Sequence, residues 1–140
     1  MSATSWVLDC SVAMAWALPD ERSDFADRFW SEVTDDFNVW VPALWWYEIS
    51  NALAAAHRRG RISRATMSRL TDLFGRLPVR TDAGVGGSAF RQTGSLATEY
   101  GLSSYDAAYL ELACRRGLAL VTLDEQLSAA ARKAGVGVWG

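Results

Sequence analysis

A chain of 140 residues, half of them hydrophobic and 21% charged, is long and apolar enough to bury one core, which excludes a disordered chain and suits a single domain over 1–140. The net charge of −2 gives no overall pull towards nucleic acid, so such a contact would have to come from a local patch. Two cysteines without a spacing motif, Cys10 and Cys114, exclude a disulfide framework and a zinc site, and their apolar surroundings read as core.

In chain order, the first strand is expected over Ser5–Asp9, followed by a short helix from Ser11 to Leu18 that Pro19 stops. Phe25, Phe29, Trp30 and Val33 recur at helical spacing and predict a second helix. Asn38–Val41 is strand-like. Pro42 then opens a helix over Ala43–Arg59, with Gly60 as its cap. Ser63 caps a helix carrying Met67, Leu70, Leu73, Phe74 and Leu77. Pro78–Arg80 is a weak strand, Gly86–Tyr100 a helix, and Ser103 or Ser104 caps a helix that runs through Arg116. Leu118–Thr122 is a buried strand, Asp124–Ala134 a helix and Val136–Trp139 a last short strand. Short apolar runs alternating with amphipathic ones predict an α/β fold, a three-layer α/β/α sandwich around a parallel sheet of four to five strands. The N-terminus lacks a basic region and Asp9 interrupts its apolar segment, so no signal peptide is expected. No uncharged run approaches the ~20 residues of a membrane span, and a cytoplasmic location with no membrane partner is expected.

Four acids stand at the edges of apolar runs: Asp9, Glu48, Asp106 and Asp124. A carboxylate beside buried apolar residues is costly unless it is paired or binds a metal. Ligand sites in such sheets form at the carboxyl ends of the strands, and three of the four acids lie near strand ends or helix starts. Taken singly, Asp124 also reads as a helix N-cap and Asp106 as a favourable charge in a first helical turn. Gathered together, they make an oxygen-only site suited to Mg²⁺ or Mn²⁺, ions that activate water for phosphodiester cleavage.

The surrounding residues carry a resemblance. Val7-Leu-Asp9-Cys-Ser11 leads to Pro19-Asp-Glu21, Pro42 precedes Glu48-Ile-Ser-Asn51-Ala-Leu53, Tyr105-Asp106 runs on to Tyr109-Leu110, and Thr122-Leu-Asp124-Glu-Gln-Leu127 closes the set. In this order the chain resembles a PIN-domain ribonuclease, and most the VapC toxin of a VapBC toxin–antitoxin pair, from Val7 to about Trp139. The resemblance implies that Asp9, Glu48, Asp106 and Asp124 bind the metal, with Ser11, Thr122 and Asn51 supporting them. It implies an RNA substrate such as a transfer or ribosomal RNA, a cognate antitoxin partner and a homodimer. Rival readings are a phosphatase-like enzyme, which would want Asp-x-Asp where Asp9-Cys10-Ser11 stands, and a binding-only module. A receiver domain would need a lysine after a late strand, whereas Lys133, the only lysine, falls in a helix.

Other features invite weaker readings. His57-Arg58-Arg59-Gly60-Arg61-Ile-Ser-Arg64 is a basic run that could guide an RNA backbone or simply sit in solvent at a helix end. Trp45, Trp46 and Tyr47 cannot all face one core, because each helical step turns ~100°. Trp16 and the Phe25, Phe29, Trp30 cluster could line the same surface, and the resemblance implies that such helices build a dimer interface and a groove for an antitoxin segment. Gly84-Val85-Gly86-Gly87 lacks the spacing of a phosphate-binding loop. Arg91 has no role assigned by the resemblance.

Overall fold

Short runs rich in β-branched and aromatic residues make strands of three or four residues, each followed in the chain by a helix. The computed structural model describes residues 5–33, 37–84 and 86–140. Its elements are β1 (Trp6–Leu8), α1 (Cys10–Ala17), a 3-10 turn at Pro19–Glu21, α2 (Asp24–Val33), β2 (Val39–Pro42), α3 (Leu44–Arg58), α4 (Arg64–Gly75), β3 (Arg80–Asp82), α5 (Gly87–Tyr100), α6 (Ser104–Arg116), β4 (Ala119–Val121) and α7 (Glu125–Lys133).

The sheet is parallel, in the order β3-β2-β1-β4, with Trp6 opposite both Val39 and Ala119. The expected last strand shrinks to a single parallel bridge between Leu120 and Val138. A central parallel sheet needs helices on both faces. On one, α6 packs against β1, β2 and β4 and carries α5 and α7; α1 packs on α2 and α3, and α3 on β2 and α4. The result is the expected three-layer sandwich. Val7, Leu8, Phe29, Trp45, Leu53, Tyr109, Leu110 and Leu120 are fully buried at its centre, each such apolar side chain contributing roughly 1.5–3 kcal/mol.

Two expectations shift. The third strand starts at Arg80, not Pro78, because proline has no N–H to give to the ladder that pairs Arg80 with Trp40 and Asp82 with Pro42. Cys10 is half-buried and packs against the core, but Cys114 is exposed and so is not the small core residue expected. Cys114 lies one ~100° step around α6 from buried Ala113, and that step carries it out of the core. The three adjacent aromatics split as helical geometry demands: Trp45 is 0% exposed and Tyr47 75%, while half-buried Trp46 donates its indole N–H to Thr81 Oγ1 at 2.9 Å.

Ser63 and Ser103 cap α4 and α6, accepting from the N–H groups of Thr66 and Asp106. The Ser103 cap fixes the first turn of α6 and so sets where Asp106 stands. Val85, inside the glycine-rich run, lies outside the described residues.

Candidate metal centre

Asp9 follows the last residue of β1, in the position that caps α1, yet its carboxylate is not spent on an ordinary cap. Its Oδ2 accepts from Thr122 Oγ1 at 2.6 Å and from Ser11 Oγ at 2.7 Å. Both hydroxyls also accept: Thr122 from the Asp124 N–H at 3.0 Å, and Ser11 from the Leu123 N–H at 3.1 Å. Asp9 thereby ties β1 to the loop between β4 and α7. Asp9 is 6% exposed, and burial pushes its carboxyl above the ordinary value, the two hydroxyls pull it back, and Asp124 pushes it up again.

Glu48 is half-buried in the second turn of α3 and accepts a hydrogen bond from the hydroxyl of Tyr109 on α6. Burial raises its proton affinity, the Tyr109 bond lowers it, and the charges of Asp9 and Asp106 raise it. Asp106, in the first turn of α6, is raised by burial and then by Asp9 and Asp124. Asp124 does cap α7, its Oδ1 accepting from the Leu127 N–H at 3.0 Å. Asp9 and Asp106 therefore each lie within reach of the charge of the other three acids at the carboxyl edge of the sheet, with Ser11 and Thr122 bonded to Asp9. Asn51 is exposed on α3 and makes no hydrogen bond to the four among the described residues. Tyr109 stands in the sequence only as the second tyrosine of the Tyr105 to Leu110 motif, with no role of its own assigned there.

As the side chains stand, no three His, Cys, Asp or Glu among the described residues are close enough to hold one ion. Three of the carboxylates have committed an oxygen to hydrogen bonds inside the protein. The donor set nonetheless fits a hard divalent cation. It consists of oxygens alone, and each of Asp9, Glu48 and Asp106 carries an unrelieved negative neighbour that a cation would neutralise.

A second polar cluster lies two strands away. Asp82, at the end of β3, is 4% exposed and takes Arg115 Nη2 at 2.7 Å, Arg116 Nε at 2.9 Å and the Gly84 N–H at 3.0 Å. Arg115 also holds Glu111 at 2.8 Å, and Arg116 stacks 3.8 Å over Trp40. The arginines hold the Asp82 carboxyl down at about 2. A Cβ at Gly84 would meet Asp82 Oδ2 at 2.7 Å and Arg115 Nη1 at 2.8 Å, so a side chain there would push the clasp aside.

In the basic run, Arg61 reaches Asp20 at 2.7 Å and Glu21 at 3.5 Å, both exposed pairs of small energetic worth. His57 Nδ1 lies 3.2 Å from the Ile62 carbonyl oxygen and closes the same turn. Trp16 and Trp30 are packed edge to face and, with Leu70, Leu73, Phe74 and Leu77 of the α4 region, line an apolar groove of about 370 Å³. Phe25 and Phe29 turn instead to Trp139, and Trp46 is not part of that groove. No helix is long and apolar enough to cross a membrane among the described residues.

The PIN domain family model matches residues 6–133. A Pyrobaculum aerophilum protein described as Ribonuclease VapC3 is 36% identical over 126 residues, 87% of this chain and 91% of that protein. Among solved structures, PAE2754 from Pyrobaculum aerophilum matches at 28% identity and a TM-score of 0.67, over 90% of this chain and 78% of its own. The Mycobacterium tuberculosis toxin VapC20, described as cleaving the sarcin-ricin loop, shares the fold at 17% identity and a TM-score of 0.65, over 89% and 94%.

Proposed function

The chain belongs to the PIN domain family and to its VapC branch, and on that basis we propose that it is a divalent-metal-dependent endoribonuclease, the toxin of a toxin–antitoxin pair, which stops translation by cutting a structured transfer or ribosomal RNA. The observation that carries this reading is that acids from four separate elements come within charge range of one another at one edge of a parallel sheet.

Asp9, Glu48, Asp106 and Asp124 would hold Mg²⁺ or Mn²⁺. When bound, the ion would offset the repulsion between these acids and a phosphate and make a water easier to deprotonate. Asp9 acts as the fixed member, its orientation set by Thr122 and Ser11. Glu48 and Asp106 face it from α3 and α6. A water gives up its proton to solvent, its oxygen adds to phosphorus, the bond from phosphorus to the sugar 3′ oxygen breaks and that oxygen takes a proton from solvent, giving 5′-phosphate and 3′-hydroxyl ends.

The partner in this reading is an antitoxin, whose apolar segment would lie in the groove between Trp16, Trp30 and the α4 region while a basic side chain enters the acidic pocket. A second copy of the chain completes the assembly, and the protein would work in the cytoplasm, where its RNA is. The separation of the carboxylates favours one rival, a pocket that recruits only a partner's cation and cleaves nothing. Incubating the protein with total RNA and Mg²⁺ or Mn²⁺, then mapping the ends, separates the two. Discrete cuts with 5′-phosphates are expected, and intact RNA at every metal concentration would favour the rival.

A further inference from the structure

Tyr109 lies three residues beyond Asp106 on α6, one helical turn along the same face. Its ring is fully buried, so packing fixes where its hydroxyl points, and that hydroxyl donates to Glu48 Oε1 on α3, 61 positions away in sequence. Glu48 needs such an anchor. It is half-buried, with Asp9 and Asp106 as negative neighbours, and repulsion drives its carboxylate towards water. A glutamate has ample rotamer freedom to comply. A hydrogen bond to an ionised carboxylate is among the stronger kinds and opposes that escape.

We infer that Tyr109 is a positioning residue of the acidic centre: its hydroxyl fixes the Glu48 carboxylate and thereby sets the affinity of the site for a divalent cation. This rests on the proposed metal centre. Tyr109 touches neither substrate nor cation in this role. Its effect passes through Glu48, as the outer partners of metal ligands generally act.

Calorimetric titration of the full chain with Mn²⁺ alone tests the inference. Tyr109→Phe should weaken the Mn²⁺ dissociation constant roughly tenfold. RNA cleavage should then need more Mn²⁺ while its rate at saturating metal stays within about twofold, the pattern of lost metal affinity and not of lost chemistry. A lower melting temperature with unchanged Mn²⁺ affinity would overturn the inference and leave Tyr109 a structural residue. Glu48→Asp gives a second route should the first variant fold poorly, because the shorter acid keeps its charge but falls short of the hydroxyl. It should lose a similar factor on its own, and adding Tyr109→Phe to it should change Mn²⁺ affinity no further. A further tenfold loss in that double variant would contradict the coupling. Absence of Mn²⁺ binding in the parent chain would remove the metal centre itself, and this inference with it.

Discussion

Asp9 shows at the scale of one residue how stability is given up for a site. An aspartate at the start of a helix commonly caps it, and here the side chain points to Thr122 and Ser11 while burial and Asp124 raise its proton affinity. A folded-state value above the ordinary aspartate value of 3.8 means that the native protein holds protons the unfolded chain has already lost. Stability of the metal-free protein therefore falls as pH rises from about that value through the raised one. Asp9→Asn removes the buried charge and keeps an acceptor for both hydroxyls. Denaturant unfolding near pH 7 without metal should show the variant more stable by roughly 1 kcal/mol, and by less near pH 4. Added Mn²⁺ should stabilise the parent and not the variant. Asp9 was readable from sequence because nothing apolar in Trp6-Val-Leu explains an acid at that point. Tyr109 was not, because a tyrosine in an amphipathic helix reads as core, and core it is except for one oxygen.

At the scale of elements, the end of β3 is locked to the last turn of α6. Arg115 and Arg116 stand in the last turn of α6, where cations suit a helix C-terminus, and the residue they serve, Asp82, lies 33 and 34 positions earlier. Pairings at that distance leave no local pattern. The strand boundary hid it as well, since placing the strand at Pro78–Arg80 left Asp82 in a loop. With its carboxyl at about 2 against 3.8, Asp82 adds about 2 kcal/mol that is fully present above the unfolded value and is lost as pH falls from about 3.8 towards 2. This sign is opposite to that of Asp9, so the two are separable. Asp82→Asn should cost about 2 kcal/mol at neutral pH in chemical denaturation and flatten the acid limb of the stability curve, whereas an unchanged acid limb would show the arginine clasp to be inert. Gly84 belongs to the same lock by its close approach to Asp82.

At the scale of the whole molecule, the parallel sheet brings dispersed acids to its carboxyl edge. Four motifs in order made the fold class and the four acids legible. How the aromatic surfaces divide was not, because helix packing decides it: Trp16 and Trp30 open a groove with α4, Phe29 closes a core with Trp6 and Trp139, and Tyr47 and Phe90, the latter 80% exposed, face solvent elsewhere. If the groove takes the antitoxin, Trp30→Ala should weaken that complex at least about tenfold in a direct binding assay while Mn²⁺ binding is unchanged, as truncation of a large aromatic anchor does; equal affinity would move the partner to another face. The central claim is that Asp9, Glu48, Asp106 and Asp124 act as one site. Its most direct test is the cleavage rate of a single end-labelled RNA by the parent and by the Asp9→Asn, Glu48→Gln, Asp106→Asn and Asp124→Asn variants at saturating Mn²⁺. Each should lose roughly 100-fold or more while remaining folded, and EDTA should abolish the parent's activity. Cleavage at the parent's rate by any one of the four, or by the parent in EDTA, would contradict the account.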